Sequence, residues 1–252
     1  MYKQLVQVLG VVRLKHIFRA FISPLHTIKV LKYHYRRVSE REFVHFLARS
    51  QGYSAHAVEQ AYEDFKSHQS LWDEVERKLT LYPNSYGLQM TRERPALYVL
   101  TRLIKPNIMV ETGVSSGATS TYILRALQDN GCGRLFSIDL PPDNLPKGQT
   151  SGWIVPEFLR SQWVLKIGDS KELLGPLLHE LGAIDCFLHD SLHTDEHMLW
   201  EFRTAWKHLR SGGLFLSHDV GASEAFFDFM AEQHIPWSAY RVFHVLGGFT
   251  RW

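Results

Sequence analysis

Cysteine is scarce in this chain: Cys132 and Cys186, 54 positions apart, are the only two in 252 residues. So sparse a pair makes neither a disulfide framework nor a zinc knuckle, which favours a reducing compartment and a cytoplasmic location. Cys186 sits in the apolar run Ile184–Leu188 and reads as a small core residue. Acidic residues are missing from the first 38 positions, where Lys3, Arg13, Lys15, Arg19, Lys29, Lys32, Arg36 and Arg37 stand unopposed. The remainder holds 20 basic against 26 acidic residues, a net −6 hidden under an overall +2. Long apolar runs are missing too. The charge-free stretches of the arm are about nine residues long, whereas a spanning helix needs roughly 20, so no transmembrane segment is expected. Lys and Arg interrupt the run and no small-x-small cleavage site follows, which argues against a secretory signal. Two motifs are also lacking. No Gly-Lys-Ser/Thr closes a phosphate loop, and no Gly-x-Gly-x-x-Gly makes a dinucleotide fingerprint.

What is present suits one large α/β domain with an extension, since 45% of the residues are hydrophobic and the length allows a full core. The stretch Asn107–Thr121 organises the rest. Ile108, Met109 and Val110 read as a strand covered on both faces, and Tyr122, Ile123, Ala126 and Leu127 recur at helical spacing after the turn. Gly113 and Gly117 let the backbone turn sharply and admit a close neighbour, which predicts a ligand crevice at the carboxyl end of a first strand. The motif Glu111-x-Gly113-x-x-x-Gly117 resembles motif I of the Rossmann-like S-adenosylmethionine methyltransferases. That resemblance implies that Glu111 lies near the cofactor's amino end and that the glycines, with Ser115 between them, make room for its methionine part.

Three regions are expected: a basic amphipathic arm over 1–38, a helical cap region over 39–90, and a Rossmann-like domain over 91–252. The arm is read as docking on the catalytic body or a second subunit in preference to an anionic membrane surface. Ser39-Glu-Arg-Glu42 has the spacing of a capping box, a second helical stretch runs from Ser54 toward Leu79, and Tyr82–Gly87 is a turn cluster. Thr91–Lys105 reads as a helix stopped at Pro106.

Beyond the central loop, strands and helices alternate, the sign of a parallel sheet covered on both faces. Arg134–Asp139 is a strand ending in an acid, and Asp139 is placed to accept both ribose hydroxyls; a turn-capping role toward Pro141-Pro142 is the alternative. The connection Leu140–Pro156 has the length of a lid. Trp163–Gly168 reads as a third strand, with Asp169 capping the next helix and Ser170 opening it. The strand Ile184–Leu188 delivers Asp190, with His193 three residues on. A helix from Glu196 to Leu209, ended by Gly212-Gly213, precedes the strand that delivers His218 and Asp219. Asp190, Asp219 and His218 form a candidate cation site, Mg²⁺ being the default for oxygen ligands. Ile235–Phe243 and Leu246–Trp252 read as two last strands, with a bulge or bend at Gly247-Gly248.

Taken together, Gly152–Glu157, Gly168–Leu174, Phe187–Thr194 and Gly212–Asp219 resemble a class I S-adenosylmethionine-dependent methyltransferase domain. They are most similar to a bacterial stand-alone group with an Asp-Ser-Leu-His signature. The likeness runs from about Thr91 to Val220 and leaves out the arm. It implies a doubly wound seven-stranded sheet with an antiparallel last strand, S-adenosylmethionine as cofactor, and Asp169 beside the adenine. Related metal-dependent sugar and catechol O-methyltransferases carry an acid pair where this chain has His218-Asp219, and a neutral imidazole offers Mg²⁺ less than a carboxylate does. With an activated methyl, the protein needs to align donor and acceptor and remove one proton. His193 is the expected general base, with Asp190 orienting it or holding a cation. O-methylation of a small molecule is therefore the leading reading, ahead of a nicotinamide-dependent oxidoreductase and a non-catalytic cofactor-binding scaffold. The acidic body argues against nucleic acid as substrate. A homo-oligomer is compatible with all of these readings.

Overall fold

A computed structural model describes residues 37–81, 92–140 and 145–252. The arm, apart from Arg37 and Val38, lies outside the described residues, as do the turn cluster at 82–87 and Pro141-Pro142. The first helix among the described residues, α1 (Glu40–Ser50), starts where expected. Ser39 accepts from the Glu42 amide while the Glu42 carboxylate takes the Ser39 N–H, so two orphan donors are satisfied reciprocally. The stretch expected as one helix from Ser54 is two, α2 (Ala55–Ser67) and α3 (Gln69–Thr80), broken at His68. The break has an anchor: His68 Nε2 lies 2.8 Å from Asp129 Oδ2, and Trp72 Nε1 donates to the Phe65 carbonyl across the joint. α4 (Arg94–Ile104) ends one residue before a left-handed Lys105 and then Pro106.

Seven strands form one sheet: β1 (Ile108–Thr112), β2 (Arg134–Asp139), β3 (Trp163–Ile167), β4 (Ile184–His189), β5 (Leu209–Ser217), β6 (Tyr240–Phe243) and β7 (Leu246–Thr250). Their spatial order is β3-β2-β1-β4-β5-β7-β6, parallel from β3 through β5, with β7 antiparallel to both of its neighbours. The helices α5 (Ala118–Asn130), α6 (Ser170–Leu181), α7 (Asp195–Trp206) and α8 (Ala225–Glu232) complete the winding. One apolar core joins α1 through α5 to one face of the sheet, through residues such as Phe43, Leu47, Leu97 and Met109. The other core lies under α6, α7 and α8, where Phe202, Phe215, Phe229 and Phe249 pack as a run of rings. Central strands are thus buried on both faces, which is why their sequences lack alternation.

Two boundaries differ from expectation. α7 stops at Trp206, and β5 already begins at Leu209, so Gly212 and Gly213 lie inside the strand. The β4–β5 register shifts between Ile184 and Cys186, and Gly212 takes a left-handed φ of 74°; the glycines absorb an irregularity within the sheet. Gly247 and Gly248, expected at a bend, pair in regular register with Ser217 and Leu216. A Cβ on Gly247 would lie 2.8 Å from Val220, and one on Gly248 would lie 3.1 Å from Leu47, so packing of neighbouring layers explains both. Among the described residues no helix is long and apolar enough to cross a membrane.

Candidate active site

The carboxyl ends of β3, β2, β1, β4 and β5 lie side by side, and every expected site residue falls at or shortly after one of them. Glu111 is fully enclosed within β1. Its Oε2 accepts from Ser120 Oγ of α5 and Ser137 Oγ of β2, both at 2.8 Å, whereas Oε1 is buried with no hydrogen-bond partner among the described residues. Burial lifts this carboxyl to a pKa of about 8 against the pull of the two hydroxyls. The native protein therefore holds a proton that the unfolded chain releases near the ordinary carboxylate pKa, and its stability falls as pH climbs from there through about 8. Glu111→Gln mimics the protonated form. We expect its stability advantage over wild type to grow by on the order of 3 kcal/mol between pH 5 and pH 8, read from denaturant midpoints at the two pH values.

The loop after β1 is held from within the protein. Gly113 and Gly117 both have φ of 86°, and Ser115 is left-handed at 51°. The close neighbours that the glycines admit belong to the chain itself: the Asp190 carbonyl at Gly113, and the Gly152 backbone with the Val155 side chain at Gly117. Gly152 N–H donates to the Ser115 carbonyl at 2.8 Å and Ile154 N–H to the Ser116 carbonyl at 3.1 Å, so this part of the long connection is fastened to the loop. Asp139, mostly buried, accepts from the Val114 and Ser115 amides, both at 3.1 Å, and burial raises its pKa. Asp169 caps α6 through the Lys171 amide at 2.8 Å, and Ser170 Oγ lies 3.2 Å from His197 Nε2.

Beyond β4 and β5 the side chains of Asp190, His193 and Asp219 converge, each offering a ligand atom within 4.8 Å of the others. His193 Nε2 lies 3.8 Å from Asp190 Oδ1 and 3.5 Å from Asp219 Oδ2. Desolvation lowers the His193 pKa even though both aspartates oppose it, so the imidazole is neutral at neutral pH. Asp219 sits at a left-handed φ of 51°, a conformation aspartate tolerates at turns. His218, expected as a cation ligand, stands outside this cluster. It is fully buried behind Asp190, its Nδ1 3.2 Å from Asp190 Oδ1. Burial works against its charge, yet Asp190 prevails and raises its pKa, making it a proton donor to Asp190; His193 takes the third place instead.

Glu201 of α7 is the residue that sequence reasoning missed. It is fully buried, and its carboxylate meets His189 Nδ1 at 2.6 Å, His197 Nε2 at 2.9 Å, Ser191 Oγ at 2.9 Å and Thr112 Oγ1 at 2.5 Å. The four-residue spacing of His197 and Glu201 on one helix face was its one sequence signal.

The strand order, with its antiparallel β7, is that of the class I, Rossmann-like methyltransferase fold. Residues 110–220 match the family model for a methyltransferase domain. Among solved structures, a protein from Klebsiella pneumoniae described as a candidate O-methyltransferase superposes with a TM-score of 0.52. It is 15% identical, over 72% of this chain and 90% of that one. The Podospora anserina methyltransferase PaMTH1, solved with S-adenosylhomocysteine bound, also gives 0.52, at 16% identity over 72% of this chain and 87% of that one. At such identities the likeness speaks for the fold. No curated protein sequence matches the chain.

Proposed function

We propose that the protein transfers the methyl group of S-adenosylmethionine to a hydroxyl of a small molecule, with His193 as general base. The convergence of Asp190, His193 and Asp219 at the strand ends next to the glycine loop carries this reading. The cofactor's polar ends fit the loop side. Ser115 Oγ and Glu111 Oε1 are buried polar atoms without partners among the described residues, and Asp139 stands beside them at the end of β2. Glu111, Gly113, Ser115 and Gly117 would hold the methionine part, Asp139 the ribose, and Asp169 with Ser170 the adenine. Once bound, the sulfonium supplies a methyl that needs no further activation. The chain's part is to bring the acceptor oxygen into line, so that the new C–O bond forms as the C–S bond breaks. The hydroxyl proton passes to His193 Nε2, where the two carboxylates stabilise the imidazolium that results.

The same three side chains suit a divalent cation. Two carboxylates and an imidazole would be its ligands, and the imidazole shifts preference from Mg²⁺ toward Mn²⁺ or Zn²⁺; an imidazole nitrogen so engaged cannot also take the proton, so the cation is the alternative to His193 as base, acidifying the acceptor hydroxyl in its place. The basic arm, whose last two residues join β6 through Arg37 and Val38, is read as docking on the protein body.

Calorimetric titration tests the whole reading. S-adenosylhomocysteine is expected to bind and NADH to give no heat; the reverse overturns the methyltransferase assignment in favour of an oxidoreductase. Titrating Mn²⁺ alone separates the two roles of His193: no heat is expected with His193 as base, whereas one site per chain that Asp219→Asn abolishes would make it a cation ligand instead.

A further inference from the structure

Glu201 has no place in the mechanism above, yet it is tied to β1 and to the end of β4, from which Asp190 and His193 follow. Its Oε2 takes the hydrogen bonds of Thr112 at the end of β1 and His189 at the end of β4, and its Oε1 takes that of Ser191. Residues 189 and 191 flank Asp190, whose own N–H donates to the Thr112 carbonyl at 2.8 Å. One carboxylate thus fastens the backbone on both sides of Asp190 and the strand against which Asp190 is registered. The His189 ring, fixed through Nδ1, meets the His193 ring edge-on at 5.4 Å and 89°. That contact limits how the His193 ring can tilt.

We infer that Glu201 is a positioning residue for methyl transfer, setting Asp190 and His193 from α7 without touching cofactor or acceptor. The inference rests on the reading of His193 as base. A carboxylate at this depth is a costly choice for packing alone, since apolar residues of similar volume usually replace buried ion pairs without loss. Burial would raise the Glu201 pKa, but the bonds from His189 and His197 overturn that and hold it below the carboxylate range. The site thus keeps a charged, four-partner anchor with little freedom to shift. The consequence is rigidity where the chemistry needs it, because a misplacement near 1 Å costs about 10²-fold in rate.

The test is a double-mutant cycle on the full chain with Glu201→Gln and His193→Ala, reading kcat, KM, S-adenosylhomocysteine affinity and thermal midpoint. Glu201→Gln is expected to lower kcat by about 10- to 100-fold and to leave S-adenosylhomocysteine affinity within about threefold of wild type. Added to His193→Ala, it should cost less than about threefold more, the non-additivity of residues that act through one another. Multiplying losses in the double variant, or affinity falling in step with turnover, overturn the inference. Wild-type turnover in Glu201→Gln beside a crippled His193→Ala defeats the inference alone, whereas wild-type turnover in His193→Ala defeats the base assignment on which it rests. Should Glu201→Gln fail to fold, Ser191→Ala removes one anchor only. It is expected to lower kcat by about 3- to 10-fold with the same coupling to His193, and no change overturns the inference.

Discussion

Replacing His193 with alanine is expected to lower turnover by about 10²- to 10⁴-fold, with S-adenosylhomocysteine affinity within about threefold of wild type. The split follows from where the side chain stands. His193 belongs to the loop beyond β4, grouped with Asp190 and Asp219, while the groups assigned to the cofactor line β1, β2 and the start of α6. Its loss removes a proton acceptor and leaves the cofactor side as it was. The pH profile gives a second reading. Desolvation lowers the His193 pKa, and the base works only when neutral. The acidic limb of kcat therefore lies below the ordinary histidine value, with the rate falling as pH drops through it. In His193→Ala that limb should vanish. Wild-type kcat with the limb intact would assign the proton to another group.

The sheet was legible because its signals are local. β1, β2 and β4 each lack alternation and carry an acid at or next to their carboxyl ends, so a doubly wound sheet with Glu111, Asp139 and Asp190 along one edge could be read directly from the chain. The Ser39–Glu42 capping box was equally local. What failed depended on distant partners. The break at His68 reflects Asp129, which is 61 positions away. Gly212-Gly213 looked like a helix end because nothing local reveals that β5 begins four residues earlier against a shifted β4. His218 and His193 are both strand-end histidines in the sequence. Only packing separates the one buried behind Asp190 from the one that joins the two aspartates. Glu201 was missed for the same reason: apart from its spacing to His197, a glutamate on a helix reads as solvated until β1 and β4 are folded over it.

The most damaging single change on this edge is expected at Gly113, a residue first read as making room for a ligand. In Gly113→Ala the new Cβ would stand 2.0 Å from the Asp190 carbonyl oxygen and 2.4 Å from its carbon, both backbone atoms that no rotamer change can move aside. The left-handed φ of 86° adds its own penalty of about 1–2 kcal/mol for a residue with a side chain, and overpacking adds about 1–3 kcal/mol. Relief requires β1 and the end of β4 to part. The hydrogen bond from Asp190 N–H to the Thr112 carbonyl, and the one from Gly113 N–H to the Ile138 carbonyl, would be the first to lengthen. A loss of about 3 kcal/mol corresponds to a fall in Tm of about 6–12 °C for a chain of this size. Turnover should fall at least as far as in His193→Ala, because Asp190, His193 and the glycine loop are displaced together. Gly131→Ala is the control: it too has a left-handed φ, 66°, but a Cβ there meets nothing within 4 Å. Its cost is limited to the backbone penalty of about 1–2 kcal/mol, with kcat unchanged. Equal Tm losses in the two variants would show that backbone conformation alone, and not the contact between β1 and the Asp190 carbonyl, sets the requirement for glycine at 113.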